Sequence, residues 1–337
     1  MIDLRSDTVT IPTPSMLEFM FKASVGDDVF GEDSAINELE SLTAEYFGME
    51  AGLFCPSGTM TNQIAIKAHT QPGDEIICDK LSHIYLYEGG GVAFNSGCSL
   101  RLVDGERGRI NAEQVVESVN PDDIHKPISK LVSLENTSNR GGGSCYDFST
   151  FVSIKEVCNN NNMALHLDGA RILNAIIAKK DNPKHYGEVF NSISICFSKS
   201  LGAPVGSVLI GNKAFIKKSR RIRKVFGGGM RQAGYLAAAC TYALQNNIQR
   251  LSLDHDHAKT IEKALLQKDF IGNILPVETN IIIAEVRGRI SPAQFTDVMN
   301  KNDVRVMHIS PTQIRMVLHL GISTEMVNKV LMIINQL

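Results

Sequence analysis

Two polar positions at the ends of apolar runs carry chemistry in this chain. Asp168 sits in Leu165-His166-Leu167-Asp168-Gly169-Ala170-Arg171, and Lys199 closes Ser194-Ile195-Cys196-Phe197-Ser198-Lys199. Each follows a short run rich in β-branched or aromatic residues, so each reads as the polar end of a buried strand. A lysine amine placed there can condense with an aldehyde, and a carboxylate can hold a proton on a pyridine nitrogen. Pyridoxal phosphate requires that pair. Its protonated ring accepts electrons from a bond broken at a substrate α-carbon, so the pair points to amino-acid chemistry. A lone lysine after a strand is also an ordinary solvated end, and Asp-Gly an ordinary turn. The remaining residues must bear on the choice.

Residues Phe54-Cys55-Pro56-Ser57-Gly58-Thr59-Met60-Thr61-Asn62 pass from an apolar run through Pro-Ser-Gly into a helical pattern. Free N–H groups at a helix start, with Ser or Thr hydroxyls, make a phosphate site. The same string is ordinary N-cap chemistry, and it is neither a dinucleotide fingerprint nor a Walker sequence. His83 follows the run Glu75–Asp79, where an imidazole can stack on a flat cofactor, act as a base, or simply sit hydrogen-bonded at the surface. Arg171 can donate to a cofactor oxygen or fork onto a substrate carboxylate. Glu135 opens a polar loop, Glu135-Asn136-Thr137-Ser138-Asn139-Arg140, at a strand's carboxyl end, where open α/β sheets bind ligands. The basic run 217–224 before Gly227-Gly228-Gly229 reads as a solvated helix face or as an arm offering cations to an anionic cofactor.

These residues need elements to hold them. The runs Glu75–Asp79, Leu100–Val103, Leu131–Leu134, Met163–Leu167, Ser192–Phe197 and Gly206–Ile210 read as buried strands. Amphipathic stretches such as Asp147–Asn160 lie between several of them. That alternation favours parallel strands with helices on both faces. A long Ala-rich helix is expected from Met230 to about Gln249, and another from Asp254. Strands at Thr279–Val286, Val304–Ile309 and Ile314–His319 and helices at Pro292–Asn302 and Thr324–Leu337 follow. The division expected is an N-terminal arm (1–14), a large domain (15–249) and a small C-terminal α/β domain (250–337).

Composition narrows the function. The 337 residues are 43% hydrophobic and 21% charged with a net charge of −2, which disfavours a nucleic-acid or anionic-membrane binder. The seven cysteines show no Cys-x-x-Cys pair, so neither a metal site nor a disulfide framework is expected. No apolar run approaches the ~18 residues of a membrane span. A cytoplasmic location is expected.

Taken together, the ordered strings resemble the low-specificity L-threonine aldolases, pyridoxal-phosphate enzymes of aspartate-aminotransferase fold. The resemblance runs from Asp3-Leu4-Arg5-Ser6-Asp7-Thr8-Val9-Thr10 to Ile314-Arg315-Met316-Val317. It takes in 25–33, the Pro-Ser-Gly-Thr-Met string, His83, Glu135-Asn136-Thr137, Asp168–Arg171, Ser198-Lys199 and 227–234. It implies an α/β fold: a large domain with a mostly parallel seven-stranded sheet flanked by helices, plus the small domain. It implies retro-aldol cleavage of L-threonine, L-allo-threonine and related β-hydroxy amino acids to glycine and an aldehyde.

By the same resemblance Lys199 binds the cofactor covalently, Asp168 pairs with its ring nitrogen, and Arg171 reaches its phenolic oxygen and the substrate carboxylate. Gly58 and Thr59 hold the phosphate, and His83 stacks on the ring. Ser6 and Arg315 match substrate-carboxylate positions, and His125 a histidine near the substrate hydroxyl. His83 or His125 is the candidate base. Lys224 and Arg231 match residues offered to a neighbouring subunit's phosphate, which implies a homotetramer with shared sites. Ser138 stands where histidine is common in the family, and Phe30 where tyrosine is frequent. The competing readings are another pyridoxal-phosphate enzyme, by β-elimination, transamination or racemisation, and a ligand-binding regulator.

Overall fold

The computed structural model describes residues 1–337. A short strand β1 (Ile2–Asp3) begins the chain. Seven strands then build the main sheet: β2 (Ala51–Cys55), β3 (Glu75–Asp79), β4 (Ser99–Val103), β5 (Ser129–Glu135), β6 (Ala164–Gly169), β7 (Ser192–Cys196) and β8 (Ser207–Gly211). Their order is β2-β8-β7-β6-β5-β3-β4. The pairs among β3 to β7 are parallel, and β8 is antiparallel to both neighbours, β2 and β7. Strands β2, β3, β5, β6, β7 and β8 are buried almost throughout, as a sheet covered by helices on both faces must be.

The second sheet is antiparallel, order β12-β13-β10-β9, from β9 (Ile271–Ile274), β10 (Ile281–Val286), β12 (Met307–Ser310) and β13 (Gln313–Val317). The run expected as one strand, Val304–Ile309, is two. Its start, β11 (Val304–Arg305), pairs in parallel with β1, while β12 joins β13. The helix expected from Met230 begins at Gly234, where the Asp33 carboxylate accepts the Gly234 N–H at 2.9 Å.

The two largest of the apolar clusters each belong to one sheet. The larger runs under the main sheet through Ile77, Val132, Leu167, Ile193 and Val208. The smaller joins Ala284, Phe295, Met316 and Val330 with Ile2 and Leu4, so the N-terminal arm packs on the C-terminal sheet. Helix Leu251–Leu265 spans both: Leu251 belongs to the larger core, and Ala258, Ile261 and Leu265 to the smaller. From the small sheet the arm runs to the carboxyl ends of the parallel strands, where Asp7 and Thr8 lie and where the candidate site is.

Candidate active site

Strand register sets the acids side by side. Glu135 on β5 pairs with Asp168 on β6, which pairs with Ser194 on β7. Beyond these ends a cleft of about 180 Å³ is lined by Thr8, Ser57, Gly58, Thr59, Asn62, His83, Asp168, Ala170, Cys196, Ser198 and Lys199. Lys199 lies just past β7, with Nζ 3.6 Å from Cys196 Sγ.

The helix Gly58–His69 points its N-terminus into this cleft, and Ser57 caps it by accepting the Met60 N–H at 3.2 Å. The N–H groups of the first turn have no intrahelical partner, so Gly58 and Thr59 present donors to an anion. Gly58 lies so close to β7 that a Cβ there would stand 2.5 Å from Cys196 Sγ.

His83 begins a short helix, His83–Leu86, four residues after β3. Its backbone N–H donates to Glu135 Oε2 at 2.7 Å, and its Nδ1 lies 2.9 Å from Glu88 Oε1. Glu88 also accepts from Asn62 Nδ2 at 2.8 Å and from Gln63 Nε2 at 2.6 Å. A carboxylate that only accepts makes His83 Nδ1 the donor, which leaves Nε2 as the ring nitrogen able to take a proton. Burial works against charge on His83, but the Glu88 hydrogen bond and the Asp168 and Glu88 charges overcome it and raise its pKa. Burial and the Asp168 carboxylate push Glu135 up, to about 7.

Arg171 departs from expectation. Its Nε and Nη2 both donate to Asp7, each at 2.7 Å, in a pair buried on both sides. The fork expected on a substrate carboxylate is thus taken by Asp7, and Nη1 is the nitrogen left to act. Burial opposes charge on Asp7, but Arg171 overcomes it and holds the carboxyl well below its ordinary range. Arg315, on β13, donates to Arg5 O at 3.2 Å and Asn139 Oδ1 at 2.6 Å, while its buried Nε has no partner. Burial and the Arg171 charge lower its pKa to about 10. Ser6 Oγ accepts from the Thr8 hydroxyl at 2.8 Å and the Thr8 N–H at 3.2 Å, so its own O–H remains to donate.

Ser6, Arg171 and Arg315 are not among the residues that line this cleft, and three further expected residues lie away from it altogether. His125, 82% exposed, holds Asp123 Oδ1 at 2.8 Å in the loop that enters β5 from its N-terminal end. The cleft lies past the other end of that strand, roughly 20 Å away. Arg231 pairs with Asp27 at 2.9 Å, and Lys224 lines a separate basic cavity with Lys217, Arg220 and Arg223. Within the basic run, Arg223 is buried on Asp28 at 2.6 Å and Arg220 holds Glu40 at 2.7 Å.

Sequence reasoning missed Asp7, Thr8, Asn62, Glu88 and His166 as parts of the site. Asp7 and Thr8 stood within a string already singled out. Glu88 had no signal, since its reach to His83 depends on how a four-residue helix turns.

The donor set suits pyridoxal phosphate: a helix N-terminus for the phosphate, an amine for the aldehyde, a buried acid for the ring nitrogen and an imidazole at the ring face. The close approach at Gly58 is what brings backbone donors over β7. Fold and site together define an enzyme of this cofactor class. Residues 3–288 match the Beta-eliminating lyase family, and the chain belongs to it. It is 41% identical to the low specificity L-threonine aldolase of Escherichia coli over 98% of this chain and 97% of that one. It is 38% identical to the low-specificity L-threonine aldolase 1 of Arabidopsis thaliana over 96% and 92%. Its fold is similar to that of a solved threonine aldolase of Leishmania major, with TM-score 0.87, 20% identity and coverage of 100% and 99%.

Proposed function

We propose that the protein is a pyridoxal-phosphate-dependent lyase that cleaves L-threonine, L-allo-threonine and related β-hydroxy amino acids to glycine and an aldehyde. Full-length similarity to the aldolases of E. coli and Arabidopsis carries this reading. Bound in the cleft, pyridoxal phosphate supplies an aldehyde that captures the substrate amine and a protonated ring that accepts the electrons of the breaking bond. Lys199 would hold it covalently, Asp168 its ring nitrogen, Gly58 and Thr59 its phosphate, and His83 its face.

The chain's own residues select the bond. Ser6 Oγ and Arg171 Nη1 have donor capacity that Thr8 and Asp7 leave unused, and Arg315 Nε is buried without a partner, which suits an α-carboxylate. Fixing that carboxylate would set which bond of the substrate α-carbon is poised to break, a geometric control worth several kcal/mol. His83 Nε2, with Nδ1 held by Glu88, takes the β-hydroxyl proton. His125 reaches a substrate only in another copy's cleft. Lys224 and Arg231 also lie outside their own, which supports a homotetramer with shared sites. The seven free, buried cysteines support a reducing compartment, the cytoplasm, and no helix is long and apolar enough to cross a membrane.

The reading is tested with L-β-phenylserine and the pyridoxal-phosphate-loaded protein. Benzaldehyde released in step with glycine is expected; phenylpyruvate with ammonia would instead make the reaction a β-elimination.

A further inference from the structure

Behind the cleft lies a buried hydrogen-bonded chain that the steps above do not use. His166 precedes Asp168 by two residues on β6, so the two side chains share a face of the sheet. His166 Nε2 lies 3.2 Å from Asn62 Oδ1, and its Nδ1 lies 2.8 Å from Ser192 Oγ. The same hydroxyl is 2.8 Å from His69 Nε2, whose ring stacks on Phe215 at 4.5 Å between centroids. At the other end, Asn62 Nδ2 donates to Asp168 Oδ2 and Glu88 Oε1, both at 2.8 Å.

Donor counting fixes the direction of every bond. Two carboxylates take both hydrogens of the Asn62 amide, so its oxygen faces His166 and His166 must carry its proton on Nε2. Burial drives the His166 pKa down to about 4 and that of His69 to about 3, so both rings are neutral. His166 Nδ1 then accepts from the Ser192 hydroxyl, which in turn accepts from His69 Nε2. Each donor in the row points toward the acids, and such chains strengthen their members. At the end, the ligand atoms of His83, Glu88 and Asp168 lie within 4.8 Å of one another. Two like charges that close need a donor between them.

We propose that His166 is a positioning residue: through the Asn62 amide it holds the Asp168 carboxyl oriented toward the cofactor's ring nitrogen. The inference rests on the cofactor assignment made above. His166→Leu removes the donor and leaves the Asn62 oxygen buried and unpaired, so the amide no longer stands firmly between the two acids.

The test is a double-mutant cycle read by equilibrium binding of pyridoxal phosphate, followed by fluorescence titration. His166→Leu and Asn62→Ala are each expected to weaken binding on the order of ten- to a hundredfold, as for loss of a hydrogen bond to a charged group. The double variant should bind no worse than the weaker single one, because both act through one contact. His166→Gln, which restores an N–H donor, should recover most of the loss. In turnover, His166→Leu should lower kcat with little change in KM for the amino acid. Additive losses, or unchanged affinity in His166→Leu, would overturn the proposal. If His166→Leu does not fold, His166→Phe, which likewise lacks a donor, completes the same cycle with Asn62→Ala, and additivity is again the contrary result. A protein that binds the cofactor but releases no aldehyde would fail the proposed reaction while leaving this cycle readable.

Discussion

At the scale of the residue, the chemistry turns on which nitrogen of His83 faces the substrate. Glu88 takes the Nδ1 side at 2.9 Å, as a carboxylate orients the imidazole in other acid–base pairs. The charged groups facing His83 are Glu88, Asp168 and Glu135, with Lys199 in the same cleft and the Tyr87 ring 5.6 Å away. A base must be neutral to act, and the pKa of His83 is raised above 6.5. The acid limb of kcat/KM should therefore rise with pH to a midpoint above 6.5. Glu88→Gln keeps the shape and removes the charge. Its midpoint should move to lower pH, and turnover should fall by roughly one to two orders of magnitude. A pH–rate profile with the midpoint unmoved would remove Glu88 from this role. Lys199, Asp168 and His83 could be singled out in the sequence because each ends or closely follows a strand-like run. Glu88 was not, and neither was the occupation of the Arg171 fork by Asp7, which is 164 positions away in the chain. Contacts of that reach have no local signature.

At the scale of the element, the site depends on how near one helix start comes to one strand. Gly58 rests against Cys196 on β7, and a Cβ there would be 2.5 Å from the sulfur. Gly58→Ala must push the helix back, an overpacking cost of about 1–3 kcal/mol. It should weaken pyridoxal-phosphate binding on the order of tenfold by that cost, and Cys196→Ala in the same chain should restore it by making room. Spectroscopic titration of both variants checks this, and undiminished affinity in Gly58→Ala alone would contradict it. The buried strands were legible because fully covered strands are continuous apolar runs: Glu75–Asp79 was bounded as found, and most others within two residues. The strand Ala51–Cys55 was seen only in part, as an apolar run before Pro56. The split of Val304–Ile309 was not legible, because pairing with the distant Ile2–Asp3 decides it.

At the scale of the whole molecule, two cores and a crossing arm make one cleft. β1 and Leu4 pack with the small sheet, while Asp7, three residues on, locks Arg171 at the carboxyl end of the large one. Arg315 enters from β13 and holds Asn139, just past β5 of the main sheet, at 2.6 Å. The donors proposed for the substrate carboxylate thus come from three separated stretches of chain, and in the proposed reaction their relative placement would control which substrate bond breaks. An aldolase and a β-eliminating enzyme can share every residue that holds the cofactor and differ only in that placement. The direct measurement is product analysis after L-threonine is incubated with the purified, pyridoxal-phosphate-loaded protein. Glycine and acetaldehyde in equal amounts are predicted; ammonia with 2-oxobutanoate would contradict the account and show that the carboxylate is held differently.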